Sequence, residues 1–227
     1  MIKVSKIVRV MIGFIENTFL INVFAKLKTT INFHRFKKKN VRFLEIGPGQ
    51  VRIDGFETLN IKYSKNVDFV LDASKKMPFT DNTFDVIYAS HILEHISWYR
   101  TKDVLSEWIR ILKPGGELEL WVPDSVKIAK AFVDAELLES KDFLDDGWFK
   151  FNTIKDSCVW FSGRVFSYGD GKSDYSNVNW HHAAFSYRYL SKLLLELNLR
   201  DVTQLPSYRN RGTDFHGWIN LGILGRK

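Results

Sequence analysis

A short apolar run that ends in a glycine turn constrains the fold of this chain more than any other feature. Residues 41–46, Val-Arg-Phe-Leu-Glu-Ile, are typical of a buried β-strand, and Gly47-Pro48-Gly49 follows directly. Glycine at positions 47 and 49 lets the backbone approach a ligand where a side chain would leave no room. The segment therefore predicts a strand that leads into a ligand-binding turn.

Short β-type runs and helical patterns alternate along the rest of the chain. Further strands are predicted at 57–61, 67–71, 83–89, 117–122, 201–205 and 218–224, and helices at 101–112, 125–140 and 186–197. The Lys-Pro-Gly-Gly segment 113–116 is predicted to end the first of these helices, and residues 141–180 to be irregular. Strands that alternate with helices indicate an α/β domain whose parallel sheet is covered on both faces.

The carboxyl ends of the parallel strands are where such sheets bind ligands. In this chain those places follow Ile46, Leu59, Leu71 and Ala89. The glycine turn lacks the third glycine of the dinucleotide fingerprint, because Arg52 occupies that position. This departure disfavours a pyrophosphate-binding dehydrogenase and favours a ligand without phosphate groups.

Four segments carry a resemblance to a known family: residues 44–49, 54–61, 77–95 and 112–116. The chain resembles class I S-adenosylmethionine-dependent methyltransferases of the type 11 group, in particular bacterial members found in surface-polysaccharide gene clusters. The likeness runs from 41 to 124 and resumes over 181–202. It implies a Rossmann-like fold with a mostly parallel seven-stranded sheet and helices on both faces. It also implies S-adenosyl-L-methionine as the cofactor and S-adenosyl-L-homocysteine as the product.

The resemblance also implies which residues bind the cofactor. They are Glu45, Gly47, Pro48, Gly49, Gln50, Asn60, Ile61, Asp72, Ala73, Ser90 and His91. Glu45, Gly47 and Gly49 would surround the methionine portion of the cofactor. Asp72 and Ala73 would flank the adenine, and Ser90 and His91 would lie beside the transferred methyl. Relatives carry an acidic residue at position 60 for the ribose hydroxyls. Asn60 lacks the charge that makes such hydrogen bonds about twice as strong, and Asp72 could instead cap its own loop.

The sulfonium already activates the methyl group, so the protein needs mainly to align the donor and the acceptor. For an alcohol acceptor, a general base that removes the hydroxyl proton adds to the rate. Histidine suits this role at neutral pH, and His91 and His181 are the candidate catalytic residues, with His182 as the substitute for His181. Either histidine could instead hydrogen-bond a loop backbone. Glu94 and His95 are expected to anchor a short helix, and no metal ligand is expected.

The expected acceptor is a small molecule, a nucleotide sugar or a glycan hydroxyl, with amines kept open. Residues 141–185 are predicted to form a variable substrate or lid region within a methyltransferase domain of residues 41–227. Its aromatic side chains would contact a sugar ring or close a lid: Trp148, Phe149, Trp160, Phe161, Tyr168 and Tyr175. A nucleic-acid methyltransferase and an inactive scaffold subunit are the alternative functions.

The first 40 residues carry much of the excess positive charge of a chain whose net charge is +7. They are predicted to form a basic amphipathic helical extension. This extension could pack on the domain or on a partner, form a dimer contact, act as a lid or rest on a membrane surface. The apolar stretch 10–25 falls short of the ~20 residues that a membrane span requires. The lone Cys158 fits a reducing compartment. We therefore expect a cytoplasmic protein, with peripheral contact at the inner membrane face left open and no nucleic-acid partner.

Overall fold

Seven strands form one sheet in this computed structural model, which describes residues 20–141, 143, 152–166, 176–206, 211 and 217–227. The strands are β1 (Phe43–Ile46), β2 (Phe56–Asn60), β3 (Phe69–Val70), β4 (Phe84–Ser90), β5 (Leu112–Pro123), β6 (Arg200–Leu205) and β7 (Asn220–Arg226). All seven were predicted, although β5 begins at Leu112 rather than 117 because Leu112 already pairs with Phe84.

The sheet has the order β3-β2-β1-β4-β5-β7-β6. The pairs from β3 through β5 are parallel, and β7 runs antiparallel to both of its neighbours, β5 and β6. The expectation of a mostly parallel seven-stranded sheet packed with helices is confirmed. The order reverses between β1 and β4, and ligands of open α/β sheets bind beside this switch point.

Five helices lie among the described residues: α1 (20–36), α2 (Thr101–Ile111), α3 (Ser125–Leu138), α4 (Ser157–Phe166) and α5 (Tyr187–Glu196). The helices expected at 101–112, 125–140 and 186–197 are confirmed. The expectation that 141–180 is irregular is wrong over α4. There Trp160 and Gly163 are buried, so packing of this face stabilises a helix in a segment of weak local signal.

Two clusters of buried side chains hold the sheet. The larger one joins strand residues such as Leu44 and Ile87 to residues of α1, α2 and α5. The smaller one contains strand and loop side chains, among them Tyr88 and Trp121, and no helical residue among those that the structure describes. The connection from β1 to β2 has only nine residues and no helix, so the glycine turn opens directly beside β2.

Helix α1 belongs to the domain along one face and leaves another face exposed. Its buried stripe consists of Ala25, Thr29, Asn32 and Phe36. Asn32 Nδ2 donates to the carbonyl of Asp68 (3.0 Å), and Val70 N–H donates to Thr29 Oγ1 (3.0 Å), so the helix satisfies the edge strand β3. Residues 1–19 of the predicted extension lie outside the described residues. Across the described part of the chain, no helix combines the length and apolar character that a membrane span needs.

Candidate functional site

A cavity of about 830 Å³ opens at the carboxyl ends of the parallel strands. Its walls come from residues 46–51 after β1, 59–62 after β2, 71–74 after β3 and residues of 91–97 after β4. Residues 178, 179, 181 and 182 close the opposite side. The volume falls within the range of roughly 300–1,000 Å³ that is usual for small-molecule and cofactor sites.

The glycine turn forms one end of this cavity. Gly47 has a φ of +75°, a conformation that L side chains rarely adopt, and its N–H donates to the Leu59 carbonyl at 2.8 Å. A Cβ atom at this position would lie 1.9 Å from Ile92 Cδ1. Both the backbone conformation and the close approach of Ile92 therefore require glycine.

Asn60 and Asp72 line the cavity beside the glycine turn. Asn60 Nδ2 lies 3.5 Å from the Pro48 carbonyl, which leaves the amide only weakly engaged by the protein. Asp72 Oδ1 accepts hydrogen bonds from Ser74 N (2.9 Å) and Ser74 Oγ (2.7 Å). Burial would raise the pKa of Asp72, but these bonds and Lys75 lower it, so the carboxylate is ionised. Asp72 thus caps its own turn and also faces the cavity.

Of the residues predicted to bind the cofactor, all but two line the cavity: Gly47, Pro48, Gly49, Gln50, Asn60, Ile61, Asp72, Ala73 and His91. The exceptions are Glu45 and Ser90, which are buried within β1 and β4. Glu45 Oε2 lies 3.5 Å from Ile53 N, so its carboxylate faces the short β1–β2 connection rather than the cavity.

His91 lies at the mouth of β4 with both ring nitrogens engaged. Nδ1 is 3.0 Å from Glu94 Oε1, and Nε2 is 2.9 Å from Asn220 Oδ1. Its backbone has a φ of +53°, and its N–H donates to the Trp121 carbonyl (2.8 Å). A strained, doubly held histidine is a feature of functional sites. These contacts orient the ring and engage both nitrogens with protein oxygens, so neither nitrogen is directed at a methyl acceptor.

Glu94, His95 and His181 lie together in the lining of the cavity and form a histidine cluster. The turn Leu93–His95 presents the first two, and backbone bonds from His182 N (2.7 Å) and Ala183 N (3.1 Å) to the Glu94 carbonyl bring the segment after Trp180 alongside. The His95 and His181 rings are 5.1 Å apart between centroids. The structure therefore joins His181 to residues more than 80 positions earlier in the chain.

The protonation states of this cluster follow from burial and its neighbours. Burial alone would raise the pKa of Glu94, but the hydrogen bond from His91 and the nearby histidines lower it to about 2. Burial lowers the pKa of His181 to about 4, against the attraction of Glu94. At neutral pH Glu94 is an anion and His181 is a neutral imidazole with a lone pair to offer.

Sequence reasoning missed several residues of the site. Asn220 holds His91 from the start of β7, and Glu94 and His95, expected only to anchor a helix, face the cavity. The spacing of His91, Glu94 and His95, at i, i+3 and i+4, was a usable signal, because it places three polar side chains on one turn.

The aromatic acceptor contacts predicted for 141–180 are only partly described. Trp160 is buried in a small cluster with Ile128, Phe143 and Ile219, against which Phe161 packs, and neither Trp160 nor Phe161 lines the cavity. Trp148, Phe149, Tyr168 and Tyr175 lie outside the described residues. The role predicted for these aromatic side chains therefore stays a prediction.

Comparison with known proteins finds methyltransferases that are similar to part of this chain. Residues 30–120 match the family model described as "Methyltransferase domain". Over 108 residues the chain is 31% identical to the ubiquinone/menaquinone biosynthesis C-methyltransferase UbiE of Azotobacter vinelandii. The matched segment covers 45% of this chain and 42% of that protein. The chain thus spans less than half the length of this curated relative.

Similar solved structures include a SAM-dependent methyltransferase from Archaeoglobus fulgidus, at 15% identity and a TM-score of 0.48, covering 89% of this chain and 94% of that one. Another is the Burkholderia thailandensis 1,6-didemethyltoxoflavin-N1-methyltransferase with bound S-adenosylhomocysteine, at 16% identity and a TM-score of 0.48. It covers 89% of this chain and 77% of that one. The sheet order and the family match together identify the domain as a Rossmann-like methyltransferase fold.

Proposed function

We propose that this protein transfers the methyl group of S-adenosyl-L-methionine to a hydroxyl group of a small-molecule or sugar acceptor. The observation that carries the proposal is the continuous cavity described above, which runs from the glycine turn to the histidine cluster. A cofactor at the first end and an acceptor at the second would meet near His91. Holding the two in line supplies much of the catalysis that methyl transfer from a sulfonium requires.

The cofactor end offers groups suited to each part of S-adenosylmethionine. The Gly47 turn leaves room for the methionine portion, the loosely held amide of Asn60 suits the ribose hydroxyls, and the ionised Asp72 suits a donor on the adenosine. Pro48, Gly49, Gln50, Ile61 and Ala73 complete the wall. Because Glu45 and Ser90 lie behind this wall, we assign them a supporting role.

We assign the proton acceptor to His181 rather than to His91. His181 Nδ1 is 3.1 Å from the Arg164 carbonyl, so this nitrogen carries the proton and the neutral ring has its lone pair on Nε2. His91 already bonds Glu94 and Asn220. Its role in the proposal is to position Glu94 and the transferred methyl.

The charge around the cavity favours an acceptor that carries an anionic group, such as a nucleotide sugar. Lys62, Arg100 and Arg164 line the same cavity, and arginine binds phosphate groups in a fixed geometry. The relatives named C-methyltransferases suggest carbon methylation as a second candidate. The family match ends at residue 120, before His181, so the similarity concerns the cofactor end more than the acceptor end.

Calorimetric titration with S-adenosyl-L-homocysteine tests the proposal. The wild-type protein should bind the product, and Asp72→Ala should weaken binding by more than about tenfold, or 1.4 kcal/mol. Ser74→Ala is the matched control, since it removes one bond of the turn but keeps the carboxylate. Bound product would justify screening nucleotide sugars and quinones for methyl transfer. No binding by the folded wild type would refute the proposal and favour the scaffold alternative.

The exposed face of α1 supports peripheral contact with an anionic membrane surface. Phe24, Leu27 and Ile31 are 59%, 55% and 54% exposed, and with Leu20 they form a stripe opposite the buried face of the helix. Exposed cations flank or follow the stripe at Lys26, Arg35, Lys37 and Lys38. An apolar stripe bordered by cations matches the interface of anionic lipids. In the proposal this contact holds the enzyme at the inner membrane face.

A further inference from the structure

Three lone-pair donors converge at the acceptor end of the cavity. One carboxylate oxygen of Glu94 and one ring nitrogen each of His95 and His181 all lie within 4.8 Å of one another. All three residues line the cavity. Ligand atoms this close together can share one bound cation.

The hydrogen bonds of the two histidines fix where their lone pairs lie. His95 Nδ1 is 3.2 Å from the Trp180 carbonyl, and His181 Nδ1 is 3.1 Å from the Arg164 carbonyl. A carbonyl oxygen only accepts, so each Nδ1 carries the proton and each Nε2 carries the lone pair. Metal-binding histidines are held in this way, with the second nitrogen donating to a carbonyl or carboxylate.

The remaining oxygen of Glu94 provides an independent observation. Glu94 is 1% exposed, and its Oε1 is bonded to His91. Its Oε2 is buried and has no hydrogen-bond partner within the part of the chain that the structure describes. A buried carboxylate oxygen without a partner is costly, and coordination of a cation is one of the ways in which proteins satisfy it.

We propose that Glu94, His95 and His181 bind a divalent first-row transition metal ion, with Zn²⁺ as the best match. Two imidazoles and one carboxylate form a frequent ligand set for zinc, and three protein ligands leave a position open.

The role of the metal, unlike its binding, rests on the proposed function. An acceptor hydroxyl bound at the open position would release its proton to solvent more readily. The alkoxide oxygen would then form the new bond to the methyl carbon as the carbon–sulfur bond breaks and its electron pair stays on sulfur. In this arrangement His181 acts as a ligand, and the metal replaces it in activating the hydroxyl.

The test is a Co²⁺ titration of the full chain, freed of any affinity tag and stripped with a chelator. The visible d–d absorption of Co²⁺ reports direct ligation, and competition by Zn²⁺ reports affinity. We expect one equivalent to bind the wild type. His181→Ala and the isosteric Glu94→Gln should each weaken binding by at least the roughly 10–100-fold that loss of an outer-shell partner costs. His34→Ala removes an exposed histidine of α1 and should change nothing.

Circular dichroism and S-adenosyl-L-homocysteine calorimetry on the same samples keep the outcomes separate. Should Glu94→Gln fail to fold, His181→Ala still decides the question. Absence of the cobalt spectrum in folded wild type, or its persistence in both variants, would overturn the metal site. Product binding without cobalt binding leaves the proposed function standing. Cobalt binding without product binding leaves the metal site and removes the proposed function.

Discussion

Gly47 shows how one residue links the backbone of this protein to its cavity. Its left-handed φ and the approach of Ile92 both exclude a side chain, and Ile92 itself lines the cavity. Asn60, on the next strand, is the residue that the resemblance assigns to the ribose hydroxyls, and it lines the same cavity. These two positions therefore allow the cofactor end to be tested by single substitutions.

Gly47→Ala should lower both stability and product affinity. The left-handed backbone costs an L residue about 1–2 kcal/mol, and the new Cβ would push Ile92 into the cavity. Gly55→Ala is the control, because Gly55 has a φ of +81° and a Cβ atom there would meet no other atom within 4 Å. Gly47→Ala should lose more free energy of unfolding in urea than Gly55→Ala, because only its Cβ meets Ile92, and only Gly47→Ala should lose affinity for S-adenosyl-L-homocysteine in calorimetry. Equal affinities in the two variants would contradict this assignment.

Asn60→Asp should strengthen binding of the product. A charged acceptor makes a hydrogen bond about 1 kcal/mol stronger than a neutral one, which corresponds to about fivefold in the dissociation constant. Asn198→Asp adds the same charge at an exposed position outside the cavity and should leave affinity unchanged. If Asn60→Asp weakens binding in calorimetry, Asn60 does not face the ribose hydroxyls.

At the scale of elements, α4 departs most from what local patterns indicate, whereas α1 falls within the predicted helical extension. Helix α4 contains Gly163, and its neighbours in sequence are rich in polar and small residues, yet Trp160 anchors it against Ile128 and Ile219. Helix α1 presents two different faces, one with polar groups that complete β3 and one with apolar groups left exposed. Only the second face is available to a partner.

Replacing Phe24 and Leu27 together by glutamate should reduce binding to vesicles of anionic phospholipid by more than about tenfold, because the stripe loses apolar area and gains negative charge. Ile154→Glu alters an isolated apolar side chain that is 76% exposed and should bind as the wild type does. Co-sedimentation with vesicles measures the difference. The opposite result is a wild type that fails to sediment with vesicles and forms a dimer in analytical ultracentrifugation that the double substitution dissociates. That result would assign the stripe to an interface with a second copy of this chain.

At the scale of the whole molecule, a buried ion pair joins the first two strands near the amino end of β1. Arg42 Nε and Nη2 donate to Glu57 Oε1 (3.0 Å) and Oε2 (2.8 Å), and Glu57 is fully buried. The Arg42 guanidinium also lies 4.7 Å from the centroid of the Phe84 ring, on β4. This contact ties together three strands at the end of the sheet opposite the cavity.

Arg42→Ala should destabilise the domain by about 3–5 kcal/mol, since it removes both hydrogen bonds to the buried Glu57 carboxylate and leaves only the more distant Lys39 Nζ, at 4.0 Å. Lys102→Ala removes an ion pair with Glu196 in which both side chains are exposed, and it should cost far less stability. Urea unfolding of both variants measures the two values. Comparable losses would mean that water or another cation compensates Glu57.

Much of the fold could be predicted because it depends on short-range patterns. Windows of about ten residues are enough to predict the strand that ends at Ile46 and the Gly-Pro-Gly turn after it. The same holds for the helix around Trp108 and for the strand ends after Leu59 and Ala89. These features place the cavity at the correct edge of the sheet. They do not show that Glu45 faces away from it, because a side chain's face depends on the register of neighbouring strands.

What the sequence by itself determined is the order of strands and helices along the chain and the position of the glycine turn, because these follow from local periodicity and the special conformations of glycine. Tertiary structure alone decided the far end of the cavity. His95 meets the Trp180 carbonyl 85 positions away, and His91 meets Asn220 across 129 positions. Such contacts form only when the turn after β4, the segment around Trp180 and the start of β7 converge on one edge of the sheet. No spacing within the chain encodes that convergence.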